Sequence, residues 1–340
     1  MHEFNLIQKY FTWDNPPRDV VTAVGDDAAV IDIPHNKQLV TSIDTLVAGV
    51  HFPENTSPYS IGHKALAVNL SDLAAMGASP RWFTLALTLP EVDETWLEDF
   101  SVGLKALAQQ HDCFLIGGDT TRGPLSISLQ VMGVVDTGKA LLRSGARVGD
   151  KIYVTGTLGD AAAGLESILA GDIDKGKNTN KNSILEKEAN SFCQQRLNMP
   201  TPRIIESNII KHFANTRIDV SDGLLQDLSH ILRASGVAAK LDLSQLPLSS
   251  ALMTLFSSTL SSTVTDNKKA TQLALTGGDD YELLFTIPES RETNFVGIVK
   301  GKAKVTCIGV ITDVTEGQNT ITDENGNLLT SEGYNHFHDE

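Results

Sequence analysis

Cysteine is scarce in this chain, three in 340 residues, and no two of them form a CxxC pair. Cys113, Cys193 and Cys307 are widely scattered, which argues against a disulfide framework or a zinc site and fits a reducing cytoplasm. Long apolar runs are missing as well. No stretch approaches the roughly 20 apolar residues of a membrane span. The opening MHEFNLIQKYF carries Glu3 and has no basic end ahead of an apolar run, so it does not read as a signal peptide. Positive charge is in deficit: 27 Lys and Arg stand against 42 Asp and Glu, a formal charge of −15. That balance argues against nucleic-acid and anionic-membrane partners, whose phosphates need a basic footprint. It leaves a small phosphorylated ligand open, because a divalent cation reverses the local sign. Neither GxSxG nor HExxH occurs, which weakens hydrolase and zinc-peptidase readings.

What is present suits a two-domain globular protein, with 41% hydrophobic and 20% charged residues. The first half reads as strands at 38–52, 81–90 and 125–135, a short buried strand at CFLIGG, and helices at 60–78 and 93–111. RSGARVGD, 143–150, reads as a connection between domains 1–145 and 146–340. Beyond it, strand–turn–helix units appear at 151–171 and 217–236, then a turn and strand at 276–288 and a late strand at 304–314. The polar stretches 171–191 and 257–272 read as exposed loops or frayed helix. The fold class is α/β or α+β.

Several carboxylates stand in apolar surroundings. Asp72 interrupts KALAVNLSDLAAMGA, a helix apolar nearly all round, where a buried charge is costly unless compensated. A helix cap or an Arg partner is the alternative. Asp44 sits in a strand run, LVTSIDTLVAG, and an outward polar position explains it equally well. Asp27 belongs to a Gly-Asp-Asp turn, and Asp119 and Asp279 each follow Gly-Gly, all beside an apolar segment. Asp219 ends the strand in IDVSDGLLQDL, with Ser221 and Asp222 at the turn; Asp222 is also a fair helix N-cap. A repeated all-carboxylate pattern without His or Cys partners suggests a hard cation such as Mg²⁺, shared with substrate phosphates.

Phosphates also need cations and backbone donors. Each basic residue alone reads more readily as a solvated surface charge; Arg122 and Arg143 are preferred over Lys64 and Arg147. TGTLGDAAAG offers backbone N–H groups at a helix start. GDIDKGK, 171–177, mimics a P-loop but continues with Asn178 and follows no strand, so it fails the required context. His51 in GVHF is ambiguous alone.

Taken together, GDDAAV, SIDTLVAGVHF, KALAVNLSDLAAMGASP, LIGGDTTRG, RSGARVGD, VTGTLGDAAAGL, IDVSDGLLQDL, GGDDYELLFT and GYNHF resemble the thiamine-monophosphate kinases, in order along nearly the whole chain. The wider superfamily includes aminoimidazole-ribonucleotide synthetase, selenophosphate synthetase and a hydrogenase-maturation protein. Another ATP-dependent member acting on a different substrate is the alternative reading. The resemblance implies an N-terminal α/β domain that dimerises through its sheet, and a C-terminal α/β domain closing an ATP cleft. It implies ATP and Mg²⁺ as cofactors, thiamine monophosphate as substrate, a homodimer and a cytoplasmic location. Carried onto this sequence, Asp27, Ser42, Asp44, Asp72, Asp119, Asp219 and Asp222 would hold metal. Gly118, Asp119, Arg143 and Ser221 would serve ATP, and His51, Asp279 and Tyr334 would face the thiamine phosphate. The family motif often reads Gly-Gly-Glu where this chain has Asp279, a shorter arm. No residue is expected to act as a general base.

Overall fold

A computed structural model describes residues 3–173, 184–256, 267–314 and 317–330. The chain divides into two compact units, Met1–Ala140 and Leu141–Glu340.

The first unit runs α1 (Glu3–Leu6), β1 (Val20–Thr22), β2 (Val30–Ile31), β3 (Lys37–Val47), α2 (Pro58–Met76), β4 (Ser79–Leu89), α3 (Glu94–Gln110), β5 (Phe114–Arg122) and β6 (Ser126–Asp136). Local chemistry fixes α2 at both ends. The Ser57 hydroxyl accepts from Ser60 N at 3.2 Å, Pro58 opens the helix, and Gly77 closes it in the left-handed region at φ 74°. The apolar circumference is buried as its composition requires, with Leu66, Leu70 and Leu73 wholly inaccessible. In α3, Asp93 caps the N-terminus, and Leu97, Phe100, Leu104 and Leu107 form the buried stripe. The two helices pack through glycines. A Cβ at Gly62 would overlap the Phe100 carbonyl, and one at Gly103 the Tyr59 carbonyl. Gly103→Ala is therefore expected to lower the unit's stability by about 1–3 kcal/mol, the usual cost of overpacking. Urea unfolding checks this, and an unchanged midpoint refutes it.

The four strands lie in the order β3-β6-β4-β5, antiparallel except for the parallel β4–β5 pair. Helix α2 packs on one face. On the other, the β1–β2 hairpin covers Trp82, Ile116 and Val134 with Val20 and Ile31, while Leu39 and Ile43 on edge strand β3 stay exposed.

Two readings of this half change. The β3 strand stops at Val47, after which a turn leads to His51, whose N–H bonds Val47 O at 3.0 Å. Gly117-Gly118-Asp119 is not a turn: β5 continues through it to Arg122. Gly118 lies so close to β4 that any Cβ would overlap the Leu85 carbonyl. The glycine answers a close backbone approach, not a chain reversal.

The second unit runs β7 (Lys151–Thr155), α4 (Asp160–Ile173), α5 (Ile184–Asn198), α6 (Ile204–Ile210), β8 (Thr216–Val220), α7 (Leu224–Ser235), β9 (Ala238–Leu241), α8 (Ser250–Phe256), α9 (Lys268–Thr276), β10 (Glu282–Ile287), α10 (Glu289–Val299), β11 (Val305–Thr312) and β12 (Ile321–Thr322). Its sheet has the order β12-β9-β11-β7-β10-β8, antiparallel except for β12–β9. Ile218, Val220 and Leu284 from the sheet meet Leu224, Leu228 and Ile231 from α7 in one core.

The polar stretches 171–191 and 257–272 contain more helix than expected. α4 reaches Ile173, α5 begins at Ile184 and α9 at Lys268. Only Ala189, Cys193 and Leu197 of α5 are buried, one apolar residue every four, a stripe thin enough to vanish in a polar composition. The P-loop look-alike begins in the last turn of α4, and its Lys177 lies outside the described residues.

Candidate active site

In the first unit, Ser42 and Asp44 alternate on the α2-facing side of β3, and Asp72 comes to meet them from α2. The Ser42 hydroxyl donates to Asp72 Oδ2 at 2.5 Å. Burial, and then the Asp72 charge, push the Asp44 carboxyl up to about 6. Two carboxylates held together at that cost fit a cation. Among the described residues no three His, Cys, Asp or Glu side chains gather closely enough to hold a metal alone. That suits Mg²⁺, which takes one or two protein carboxylates and completes its shell with water and phosphate oxygens.

His51 is held nearby by the same helix. Lys64, which sequence alone reads more readily as a solvated charge, is instead 1% exposed, and its Nζ donates to the His51 carbonyl at 3.0 Å. His51 Nδ1 accepts from Val47 N at 3.1 Å, which leaves the proton of the neutral ring on Nε2.

Asp27, Gly118 and Asp119 form a second group, lining a cavity of about 650 Å³ between α1, the β1–β2 turn and β5. Within the unit this group is separate from the first. Asp119 pairs through Ala86 and Ser128 with Thr45, not Asp44, so it points from the opposite face. The two edges are three strand steps apart, each about 4.8 Å. Arg122 is exposed, its Nε donating to Pro90 O at 3.2 Å.

In the second unit, Asp219 is the penultimate residue of β8 at 5% exposure, and Ser221 and Asp222 form the turn into α7. Asp222 is not the helix cap; Gly223 occupies that position, at φ 116°. Asp227, missed by sequence reasoning, does the capping. Its Oδ2 accepts from the backbone N–H groups of Ser221, Asp222 and Gly223 at 3.1, 3.1 and 3.2 Å. Burial, then Asp219 and Asp222, push its carboxyl up to about 8. A signal existed: Leu224, Asp227, Leu228 and Ile231 share one helical face, and three of them are core.

Asp279 joins this turn through backbone. Asp279 N donates to Ser221 O at 2.9 Å and Tyr281 N to Val220 O at 2.8 Å, with Asp279 and Tyr281 both left-handed at φ 67° and 51°. The Tyr281 hydroxyl donates to Asp279 Oδ1 at 2.9 Å. Arg143 is exposed, and both it and Asp222 act electrostatically on His230 of α7. Tyr334 lies outside the described residues.

Behind this turn is a buried ionic network that the motifs gave no hint of. Glu282, wholly inaccessible, takes the guanidinium groups of Arg196 and Arg203 and the Thr155 hydroxyl. Asp280 accepts from Gly159 N at 2.7 Å, at the start of α4.

Residues 25–135 match the AIR synthase related protein N-terminal domain and residues 147–321 its C-terminal domain, which sets the class. Within that class three likenesses agree. Thiamine-monophosphate kinase of Salmonella typhimurium strain LT2 is 47% identical over 337 residues, 98% of each chain. The crystal structure of thiamine-monophosphate kinase from Stenotrophomonas maltophilia K279a matches with a TM-score of 0.79 at 45% identity, over 92% of this chain and 93% of that one. AaThiL complexed with AMPPCP and TMP matches at 0.75 and 32% identity, over 93% and 92%. The chain belongs to the thiamine-monophosphate kinase family.

Proposed function

We propose that this chain transfers the γ-phosphoryl group of ATP to thiamine monophosphate, giving thiamine diphosphate and ADP. The observation that carries the reading is near-complete, 47% identity to a thiamine-monophosphate kinase across both domains. AMPPCP is a non-transferring ATP analogue, so a relative complexed with it and TMP has the ligands of this reaction.

The acceptor phosphate is already largely ionised near neutral pH, its second pKa being about 6. No general base is needed, and the chain's task is to bring two anions into line. In this reading Ser42, Asp44 and Asp72 hold one magnesium position and Asp27 and Asp119 another, and Asp219 and Asp222 are the metal ligands of the C-terminal unit. Magnesium bound there would neutralise charge on the phosphoryl oxygens. Gly118, Asp119, Arg143 and Ser221 position ATP; His51, Asp279 and Tyr334 position thiamine monophosphate. The split into a magnesium-ATP and dimerisation domain, 1–145, and a C-terminal domain, 146–340, belongs to the same reading.

We place the enzyme in the cytoplasm as a homodimer that binds neither nucleic acid nor membrane. The excess of acid supports the last point, and no described helix is long and apolar enough to cross a membrane. The uncovered sheet face supports the dimer, with Ile43 62% exposed on an edge strand. Ile43→Asp is expected to yield a monomer by light scattering; an unchanged mass removes this face from the interface.

The deciding assay supplies ATP, Mg²⁺ and thiamine monophosphate. Thiamine diphosphate and ADP should form in equal amounts, and free thiamine should not be phosphorylated. ADP release independent of the acceptor, or phosphate release without ATP, defeats the reading. Direct in-line transfer predicts inversion with a chiral thiophosphate donor, and net retention overturns it.

A further inference from the structure

We infer that Tyr281 is a positioning residue for the acceptor: its phenol holds the Asp279 carboxylate in a single orientation toward thiamine monophosphate. The inference rests on the kinase reading for the role of Asp279, and on the geometry of residues 277–282 for the role of Tyr281.

The backbone of this segment is pinned along its length. A Cβ at Gly277 would overlap the Leu273 carbonyl, and one at Gly278 the Ser221 carbonyl. The N–H groups of Asp279 and Tyr281 donate to Ser221 O and Val220 O at 2.9 and 2.8 Å. Between them Asp280 turns inward and is 1% exposed. Its carboxylate accepts from Gly159 N at 2.7 Å, and its carbonyl from Arg196 Nη2 at 3.1 Å. Left-handed backbone at two non-glycine residues, Asp279 and Tyr281, is costly and persists only because these contacts enforce it. Strain of this kind gathers at active sites and ligand clamps.

The pinned backbone does not by itself settle the Asp279 side chain. Asp279 is half-buried, whereas Asp280 and Glu282 are closed off from solvent, so it is the carboxylate of this run that a ligand can reach. Rotation about its side-chain torsions would move the charge. Tyr281 removes that freedom. The two left-handed residues bring the phenol back to residue 279, where its hydroxyl donates to Oδ1 at 2.9 Å. The tyrosine is only 9% exposed, so the ring is itself held by its surroundings. The choice of donor matters. A Lys or Arg in that place would neutralise the carboxylate; a neutral phenol orients it and leaves the negative charge for the ligand. A tether to a fixed ring also gives the shorter arm of Asp279 a defined end point.

The experiment combines steady-state kinetics with calorimetric titration of thiamine monophosphate, the titration with Mg²⁺ and AMPPCP present. Four full-length chains are compared: native, Tyr281→Phe, Asp279→Gly and the double variant. Glycine is the choice at 279 because the backbone there is left-handed at φ 67°. Tyr281→Phe should raise KM and Kd for thiamine monophosphate about tenfold, the scale of losing a hydrogen bond to a charged group, with KM for ATP moved by less than about twofold. In the Asp279→Gly background the same substitution should change KM by less than about twofold, because the phenol acts through the carboxylate. An unchanged KM for thiamine monophosphate, an equal rise in KM for ATP, or the same loss with and without Asp279 would each overturn the inference. So would a lowered thermal midpoint with KM unmoved, the result for a phenol that only satisfies its own hydrogen bond. A native chain that binds thiamine monophosphate without phosphorylating it refutes the kinase reading, and the Kd values still decide the role of Tyr281; one that does not bind it removes both.

Discussion

Asp72→Asn is expected to slow phosphoryl transfer severely and to leave the N-terminal unit at least as stable as the native chain. Asp72 touches Ser42 and repels Asp44, whose carboxyl rises to about 6 in consequence of burial and that repulsion. Without a cation the pair is an electrostatic liability; with one it becomes the reason the cation binds. The amide keeps the shape of the side chain and can still accept from Ser42, so packing survives while the charge is lost. The expected fall in kcat is about 10²–10³-fold, the usual scale for removing one electrostatic contributor to a phosphate or oxyanion site. Thiamine diphosphate formation at saturating substrates measures it, alongside the thermal midpoint. A variant that turns over at a near-native rate, or that unfolds, removes Asp72 from the metal assignment.

A pH signature accompanies this result. In the cation-free folded chain Asp44 keeps its proton to about pH 6, whereas the unfolded carboxyl releases it near 3.8. Between those values the folded state binds more protons, so this group's contribution to stability declines as pH rises from 3.8 to about 6. Asp72→Asn should flatten that decline. Magnesium added at neutral pH should raise the thermal midpoint of the native chain and leave that of the variant nearly unmoved.

The largest stability effect is expected at Arg203. Its Nε lies 2.6 Å from Glu282 Oε2, and Glu282 is wholly buried with Arg196 on the same carboxylate and Thr155 donating at 2.6 Å. Arg203→Met leaves a buried carboxylate with half its compensation, at a cost of about 3–5 kcal/mol. Arg203→Lys should recover only part of it, because an ammonium cannot reproduce the paired N–H donors of a guanidinium. Urea unfolding followed by circular dichroism measures the loss, and the fluorescence of Trp13, Trp82 and Trp96, all in the N-terminal unit, identifies that unit's transition separately. A loss below about 1 kcal/mol would place the pair among weak surface bridges instead. Activity should fall with stability, because Glu282 begins the strand that follows the strained Asp279–Tyr281 turn.

Periodicity and punctuation made most elements legible. Ser57, Pro58 and Gly77 mark α2 in the sequence as clearly as in space, and Leu224 to Leu232 mark α7. Gly117-Gly118 was misleading because composition does not distinguish a glycine that reverses the chain from one that lets strands approach. Ser42 and Asp44 of β3 and Asp72 of α2 stand on facing surfaces, a contact between strand and helix that the periodicity of neither element alone encodes. The separation of Asp119 from Asp44 was not legible, because it depends on strand order, which no local pattern encodes. Glu282 was hidden for a similar reason: its partners Arg196 and Arg203 lie on segments far away in sequence, both beyond the polar stretch 171–191 and in no motif.

Lys64 gives α2 a role beyond burial. By holding the His51 carbonyl it ties the turn after β3 to the helix that carries Asp72, eight residues further on. At 1.5 Å per residue, those two points are about 12 Å apart on one rigid rod. Any slide or tilt of the rod displaces the histidine turn and the aspartate in concert. An acceptor too bulky for the His51 end would therefore disturb the metal end as well, so discrimination at one place would register as lost chemistry at the other.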